Sequence, residues 1–309
     1  MMIVEINQLT IQYGPFTAVD QLSSDWPDEV IGLLGVNGAG KSSLMKGLLG
    51  LVPFSSGSIR IFGQDVTSRE KSFRKHIGYM PEEDCLIPGF TALQMVRYMG
   101  ELSGMQRTDA IQRAHEVLFA VGLGEARYRK VETYSTGMKQ RVKLAQAIVH
   151  DPKLLLLDEP TSGMDPKGRE EMLELILGIA SNTKMSVVMA THILTDVERI
   201  CNKVLIMHRG KLLKDSPIGD FREMIANTYR VRVDGDRVLY QNWLADHGCQ
   251  ISFDNKSEFD VQIPPGSDAS ILFKCGEATK TSVRKVLPGV QTLEDVFVKH
   301  LGEDYHAHL

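Results

Sequence analysis

Residues 35–42, GVNGAGKS, combine three glycines with a lysine and a serine at the spacing G-x-x-x-x-G-K-[ST]. Glycines let the main chain turn tightly with its N–H groups facing inward. A helix beginning just beyond them adds partial positive charge, and the result is a cradle for a phosphate chain. Lys41 is expected to reach the β- and γ-phosphates and Ser42 to ligate Mg²⁺. The expected binding set is Gly35, Asn37, Gly38, Ala39, Gly40, Lys41, Ser42 and Ser43. A second stretch, LLLLDEP, places Asp158 and Glu159 at the end of an apolar run. Phosphate-transfer chemistry needs one carboxylate in the metal shell and a base to orient the attacking water, and these two residues supply them in that order. Alone, an acidic pair after a strand is equally an ordinary loop carboxylate; beside the glycine-rich turn it reads as metal ligand and base. His192, in ATHILTD, also follows an apolar run; a lone histidine there is usually structural, so a catalytic role for it rests on the resemblance given below.

These groups can act together only if the backbone brings them to one edge of a sheet. The runs VIGLL (30–34), LLLLD (154–158), SVVMA (186–190) and VLIM (204–207) have the unbroken apolar character of strands buried on both faces. Helical spacing lies between them, from Lys41 toward Gly50 and near 167–180, so the expected class is α/β with a parallel sheet. MIVEI and FTAVDQL read as N-terminal strands and IGYM (77–80) as another, while 91–104 and 109–123 carry helical spacing and predict a helical region. From Ser216, SPIGDFREMIANT reads as a capped helix leading into a separate unit. Beyond it come strand YRVRV, helix VLYQNWLADHG, strands CQISFD and FDVQI, a helix, strand SVRKVL and a final helix LEDVFVKHL, an order that predicts a ferredoxin-like domain.

Composition narrows the function. A formal charge of −4 and no local basic patch disfavour nucleic acid as a partner. Cys85, Cys201, Cys249 and Cys275 form no C-x-x-C pair, which argues against a zinc ribbon or a secreted disulfide framework and fits a reducing cytoplasm. The N-terminus MMIVEINQLT lacks a signal-peptide pattern, and no apolar run approaches the ~20 residues that span a bilayer, so the chain is expected neither to be exported nor to cross a membrane alone. The closing HAHL reads as a frayed tail rather than a metal site.

The ordered set GVNGAGKS, YSTGMKQR, LLLLDEPTSGMDP and ATH resembles the nucleotide-binding subunits of ATP-binding cassette (ABC) transporters over roughly residues 1–220. The resemblance implies a P-loop NTPase core with an antiparallel β subdomain and an α-helical subdomain at about 84–150. A linker at 221–228 and the small α+β ferredoxin-like domain at 229–309 complete the expected organisation. It implies that Tyr13 stacks on adenine, that His192 is the switch histidine at the γ-phosphate, and that the loop ending in Asp165 communicates across a dimer. YSTGMKQR (134–141) resembles the signature loop LSGGQ, which completes the ATP site of the opposite subunit through Ser135 and Gly137. A serine hydroxyl, a close glycine N–H and a helix N-terminus suit that task. Ser135 as a plain helix cap is worth ~1 kcal/mol, and both roles are compatible. Tyr134, Thr136 and Met138 depart from LSGGQ; losing one neutral hydrogen bond removes ~0.5–1.5 kcal/mol, which weakens such a site without abolishing it.

Glu82, in GYMPEED, stands where the family usually has glutamine. An ionised carboxylate only accepts hydrogen bonds and adds negative charge unless Mg²⁺ or a proton offsets it, so Glu82 joins the expected nucleotide and metal set and coupling to a permease is expected to differ. The resemblance further implies a homodimer or a paired ABC ATPase subunit and a separate transmembrane permease. It also implies ATP with Mg²⁺ and a cytoplasmic place on the inner face of the membrane. The tail TLEDVFVKHLG resembles that of cassettes serving ABC-2-type exporters of drugs, sodium or polysaccharides. The alternative is a non-transport ABC ATPase or nucleotide-dependent switch acting on a ribosome or nucleic-acid complex. Its translation-factor branch normally has two cassettes and its DNA-repair branch long coiled coils, neither present here.

Overall fold

The computed structural model describes residues 2–67, 72–222, 224–254, 258–264, 267–290 and 293. The expected helix LEDVFVKHL, apart from Leu293, and the HAHL tail lie outside the described residues. The chain divides into two compact units, one running to Ile218 and one beginning at Gly219.

In the first unit, β1 (Met2–Tyr13), β2 (Phe16–Pro27), β4 (Ser56–Ile61) and β5 (Gln64–Asp65) form an antiparallel sheet in the order β2-β1-β4-β5. The central sheet contains β3 (Val30–Leu34), β6 (Ile77–Met80), β7 (Leu154–Asp158), β8 (Ser186–Thr191), β9 (Lys203–His208) and β10 (Lys211–Pro217). Its order is β10-β9-β3-β8-β7-β6. Five of these strands run parallel, and every residue of β3, β7 and β8 is buried, which is why their sequences are apolar without alternation. At the margin, β10 pairs antiparallel with β9 and exposes Lys211, and charge on an edge strand discourages further pairing. The helix α1 (Lys41–Leu48) buries Leu44, Met45 and Leu48 in one apolar cluster with Leu9 and Ile11 of β1 and Ile31 and Leu33 of β3.

Between β6 and β7 the chain forms α2 (Ala92–Leu102), α3 (Arg107–Ala120) and α4 (Thr136–Ile148). Thr91 and Gln94 close a reciprocal capping box on α2, and α3 buries Ala110, Ala114, Val117 and Leu118, a single helical stripe. After β7, α5 (Pro166–Thr183) starts on the Asp165 side chain with proline in its first turn, and α6 (Leu194–Ile200) follows β8.

The second unit contains β11 (Met224–Asp234), α7 (Arg237–Asp246), β12 (Gln250–Asp254), β13 (Phe259–Gln262), α8 (Ser270–Thr279) and β14 (Ser282–Val290). The strand order β12-β13-β11-β14, antiparallel throughout, is the split βαβ arrangement of a ferredoxin-like domain. Its core joins Val231, Phe259 and Val261 to Tyr240, Leu244 and Leu272, and the Tyr240 hydroxyl donates to the Leu272 carbonyl at 2.6 Å, so the buried phenol is satisfied.

The helix expected from SPIGDFREMIANT does not form. Ser216 and Pro217 pair with Val204 and Lys203 as the end of β10, residues Ile218–Arg222 make one 3-10 turn, and Met224 already pairs with Val290 in β11. Strand pairing on both sides captures the main-chain groups that a helix would have used, and tertiary pairing overrides the local capping signal. Strands β4, β5 and β10 are also absent from the sequence reading, since short or half-exposed strands have no apolar run to announce them.

Candidate nucleotide site

Strand register brings the chemistry together. Leu34 of β3 pairs with Thr191 of β8, and Asp158 of β7 pairs with Ala190, so the residues that follow, Gly35, Glu159 and His192, emerge at one sheet edge. The Gly35 N–H donates to the Thr191 carbonyl at 3.3 Å and the Glu159 N–H to the Ala190 carbonyl at 2.9 Å. Ligands of open parallel sheets bind at this carboxyl end.

From Gly35 the chain turns through Gly38 (φ 81°) and Gly40 (φ 106°) into α1. Among the described residues no side chain caps that helix, and its first turn borders a cavity of about 290 Å³. Residues 37–43 form its floor, and Phe16, Glu82, Asp158 and Glu159 stand in its wall. Lys41 is only 5% exposed, and its Nζ donates to the Gly35 carbonyl at 2.6 Å and lies 3.6 Å from Glu159 Oε1. Burial lowers the lysine's pKa, while Glu159 and Asp158 oppose the shift.

Asp158 is buried, and burial raises its pKa against the pull of a hydrogen bond with Ser42; Glu82 and Glu159 raise it further. Its Oδ1 is buried without a hydrogen-bond partner among the described residues. A buried carboxylate oxygen with no donor, beside a serine hydroxyl and below a phosphate cradle, fits Mg²⁺, which takes one or two protein oxygens and completes its shell with phosphate and water. Among the described residues no three His, Cys, Asp or Glu side chains converge on one point, so a cage of protein ligands is not the alternative.

Glu159 is also buried, in a left-handed conformation at φ 49°, a strain that non-glycine residues bear where the surrounding structure holds them. His192 Nδ1 lies 3.0 Å from both carboxylate oxygens, and the Thr191 hydroxyl donates to Oε2 at 3.3 Å. The histidine side chain is itself 47% exposed, so the carboxylate is fixed from below while the ring faces outward. Behind them Asp196 of α6 accepts from the Thr161 hydroxyl and from Arg169 Nε, each at 2.7 Å, and so ties the segment after β7 to the helix after His192.

The expected residues fall into two groups. Lys41, Ser42, Ser43, Glu82, Asp158 and Glu159 surround the cavity, and His192 touches Glu159. Ser135, Gly137 and Asp165 do not line it. Ser135 Oγ caps α4 by accepting from the Met138 N–H at 3.3 Å, and Asp165 caps α5 through the Gly168 N–H at 3.3 Å. Gln140 Nε2 donates to the Ser162 carbonyl at 3.2 Å, which joins the start of α4 to the loop before α5. Tyr13 ends β1 and is exposed; its partner across the hairpin turn, Phe16, is the aromatic side chain in the cavity wall.

Phe16, Thr191, Asp196 and Lys143 are the contributors that sequence reasoning missed. Phe16 carried a usable signal, an aromatic at the start of a strand with Ala18 on the same face. Lys143 carried none: it lies on α4, is 2% exposed, and donates from Nζ to the Glu82 carbonyl at 2.8 Å. Burial lowers its pKa, and the nearby Cys85, Asp84, Glu82 and Asp158 act in the opposite direction.

The family model described as ABC transporter matches residues 23–162. An uncharacterized ABC transporter ATP-binding protein of Bacillus subtilis, YxlF, is 32% identical over 301 residues, 96% of this chain and 98% of that one. The bacitracin transport ATP-binding protein BcrA of Bacillus licheniformis is 32% identical over 308 residues, 97% of each. Among solved structures, cbiO1 of Clostridium perfringens, part of the ABC transporter complex cbiONQ, superposes with a TM-score of 0.64 at 26% identity, covering 70% of this chain and 88% of that one.

Proposed function

Because the chain belongs to the family of ABC transporter ATP-binding proteins and is an ATPase, we propose that the cavity at the β3–α1 turn holds the ATP phosphates. In this reading Asp158 and Ser42 hold Mg²⁺, and Glu159 is the base. The observation that carries it is the convergence of a phosphate cradle, an unpartnered buried Asp158 oxygen and a strained, buried Glu159 within one cavity wall.

ATP is drawn to the first turn of α1, and Lys41 exchanges its bond to the Gly35 carbonyl for phosphate oxygens. Bound Mg²⁺ offsets the charge that accumulates on the transferring phosphoryl group. Glu159 accepts a hydrogen bond from the attacking water and takes its proton as the new O–P bond forms and the bond to ADP breaks. His192 and Thr191 hold the carboxylate in place for that transfer. Glu82 adds a second acceptor at the cavity rim, where it orders water or the metal shell.

The remaining half of the site comes from a second cassette. Ser135, Gly137 and Asp165 lie outside their own chain's cavity and present a helix N-terminus with an exposed serine, the chemistry that closes on a phosphate from the opposite side. ATP binding draws two cassettes together and hydrolysis releases them, and the cycle drives a separate permease from the cytoplasmic face. A separate permease is consistent with the described helices, none of which is long and apolar enough to cross a membrane. Relatedness to a bacitracin transport protein along nearly the whole chain supports the ABC-2-type exporter branch.

The Glu159→Gln variant tests the reading. It keeps the shape and loses the base, so its ATP dissociation constant is expected to stay within about threefold of the wild type while kcat falls by about 10²–10⁴-fold and an ATP-bound dimer accumulates on gel filtration. Hydrolysis at the wild-type rate would remove Glu159 from the role of base.

A further inference from the structure

A buried lysine in the middle of a helix that carries no other part of the cavity calls for a reason. Removing an ammonium from water is costly unless it is hydrogen-bonded, and an apolar side chain of similar volume at that position would be at least as stabilising. Lys143 nevertheless spends its reach on a main-chain carbonyl, that of Glu82, at 2.8 Å. It does so within a stripe. Lys139 Nζ contacts Asp84 Oδ2 at 2.9 Å, and the Cys85 thiol donates to Gln146 Oε1 at 3.7 Å. Positions 139, 143 and 146 follow one face of α4, so the segment 82–85 lies along that helix and is fastened at three places. The strand leading into it is close against the same helix, since a Cβ on Gly78 of β6 would strike the Ala147 carbonyl. Glu82 is the one member of this segment in the cavity wall, beside Asp158 and Glu159.

We propose that Lys143 is a positioning residue for ATP hydrolysis: its ammonium clamps the Glu82 main chain to α4, which holds the Glu82 carboxylate at the phosphate cavity and ties that cavity to the helix beginning at Ser135. Lys143 touches no reacting atom and acts through Glu82. This inference rests on reading the cavity as the nucleotide site.

The test uses the full-length protein and Lys143→Met, which keeps the length of the side chain and removes the donor. Three quantities are compared with the wild type: the dissociation constant of ATP under non-hydrolysing conditions, kcat, and amide hydrogen exchange across residues 82–85. The expected result is ATP affinity and Tm within about threefold and a few degrees of wild type, kcat lowered about tenfold or more, and faster exchange confined to 82–85. A kcat within threefold of the wild type overturns the proposal, and so does a loss of affinity and Tm in step with kcat, which marks a purely structural residue. Should Lys143→Met fail to fold, Lys143→Leu, which likewise removes the donor, is measured the same way with the same criteria. Lys41→Ala separates the two levels: undiminished ATP binding there sinks the nucleotide cavity itself, whereas lost binding there with normal turnover in Lys143→Met sinks only the clamp.

Discussion

Gly40 shows how much of the site depends on single residues. Its φ of 106° belongs to a region that side-chain-bearing residues rarely enter, and a Cβ there would run into the Ala18 carbonyl of β2. Gly40→Ala must therefore shift either the turn or the strand, at a local cost of about 1–3 kcal/mol. Because the N–H groups proposed to face the phosphates belong to this turn, the loss is expected chiefly in binding, with ATP affinity weaker by at least about tenfold, roughly 1.4 kcal/mol, in a fluorescence titration. Unchanged affinity would mean that the cradle tolerates a moved Ala18 and that the nucleotide does not use the Gly40 N–H. At this scale the sequence was informative because the chemistry is local. The cradle, Asp158 and Glu159 are adjacent to their strands, and strand ends meet whenever the register does. Lys143 and Asp196 were illegible for the opposite reason, since their partners lie 61 and 35 residues away and no spacing records them.

The elements were legible where their burial is uniform. VIGLL and LLLLD are fully buried strands with the bounds their apolar runs suggest, while β10 and the start of β11 were missed because pairing decides them and their composition does not. The junction of α4 with β6 carries a further consequence. His150, just beyond α4, holds the Ile77 carbonyl at 3.0 Å from Nε2, and its Nδ1 is buried without a partner among the described residues. A proton on Nδ1 would have to be buried unsatisfied. Burial lowers the pKa of His150, and burial with Lys153, Lys75 and His150 as neighbours lowers that of His76. Both rings take up protons more readily in the unfolded chain than in the fold, so the unfolded state binds more protons as pH falls below the ordinary value of 6.5. Stability is accordingly expected to rise with pH through that region and to decline on acidification from about 7 to 5.5. In urea titrations at these two pH values, His150→Gln should narrow the difference in midpoint; an identical shift in the variant would place the acid sensitivity elsewhere.

For the whole molecule, the decisive feature is where the YSTGMKQR stretch lies: its Ser135, like Asp165, is a helix cap within its own chain, outside that chain's cavity. A signature that only caps its helix is a local stabiliser; one that also closes on a partner's phosphates makes the two sites of a symmetric dimer interdependent. Mixing distinguishes these cases without a structure of the dimer. On the proposed shared site, Ser135→Arg would place a bulky cation against the other chain's nucleotide and Lys41→Ala would remove a phosphate-binding lysine, so each homodimer is expected to be inactive at both sites. In a heterodimer of the two, the wild-type cradle of one chain faces the wild-type signature of the other, and the second site collects both defects. Co-expressed in equal amounts, the chains should regain up to about a quarter of wild-type turnover, because about half the dimers are mixed and each has one intact site. If Ser135 acted only within its own chain, no combination would assemble an intact site and mixing would restore nothing. A mixture as inactive as its components would therefore overturn the shared site. Recovery above the sum of the two homodimers can come only from a nucleotide held between two chains.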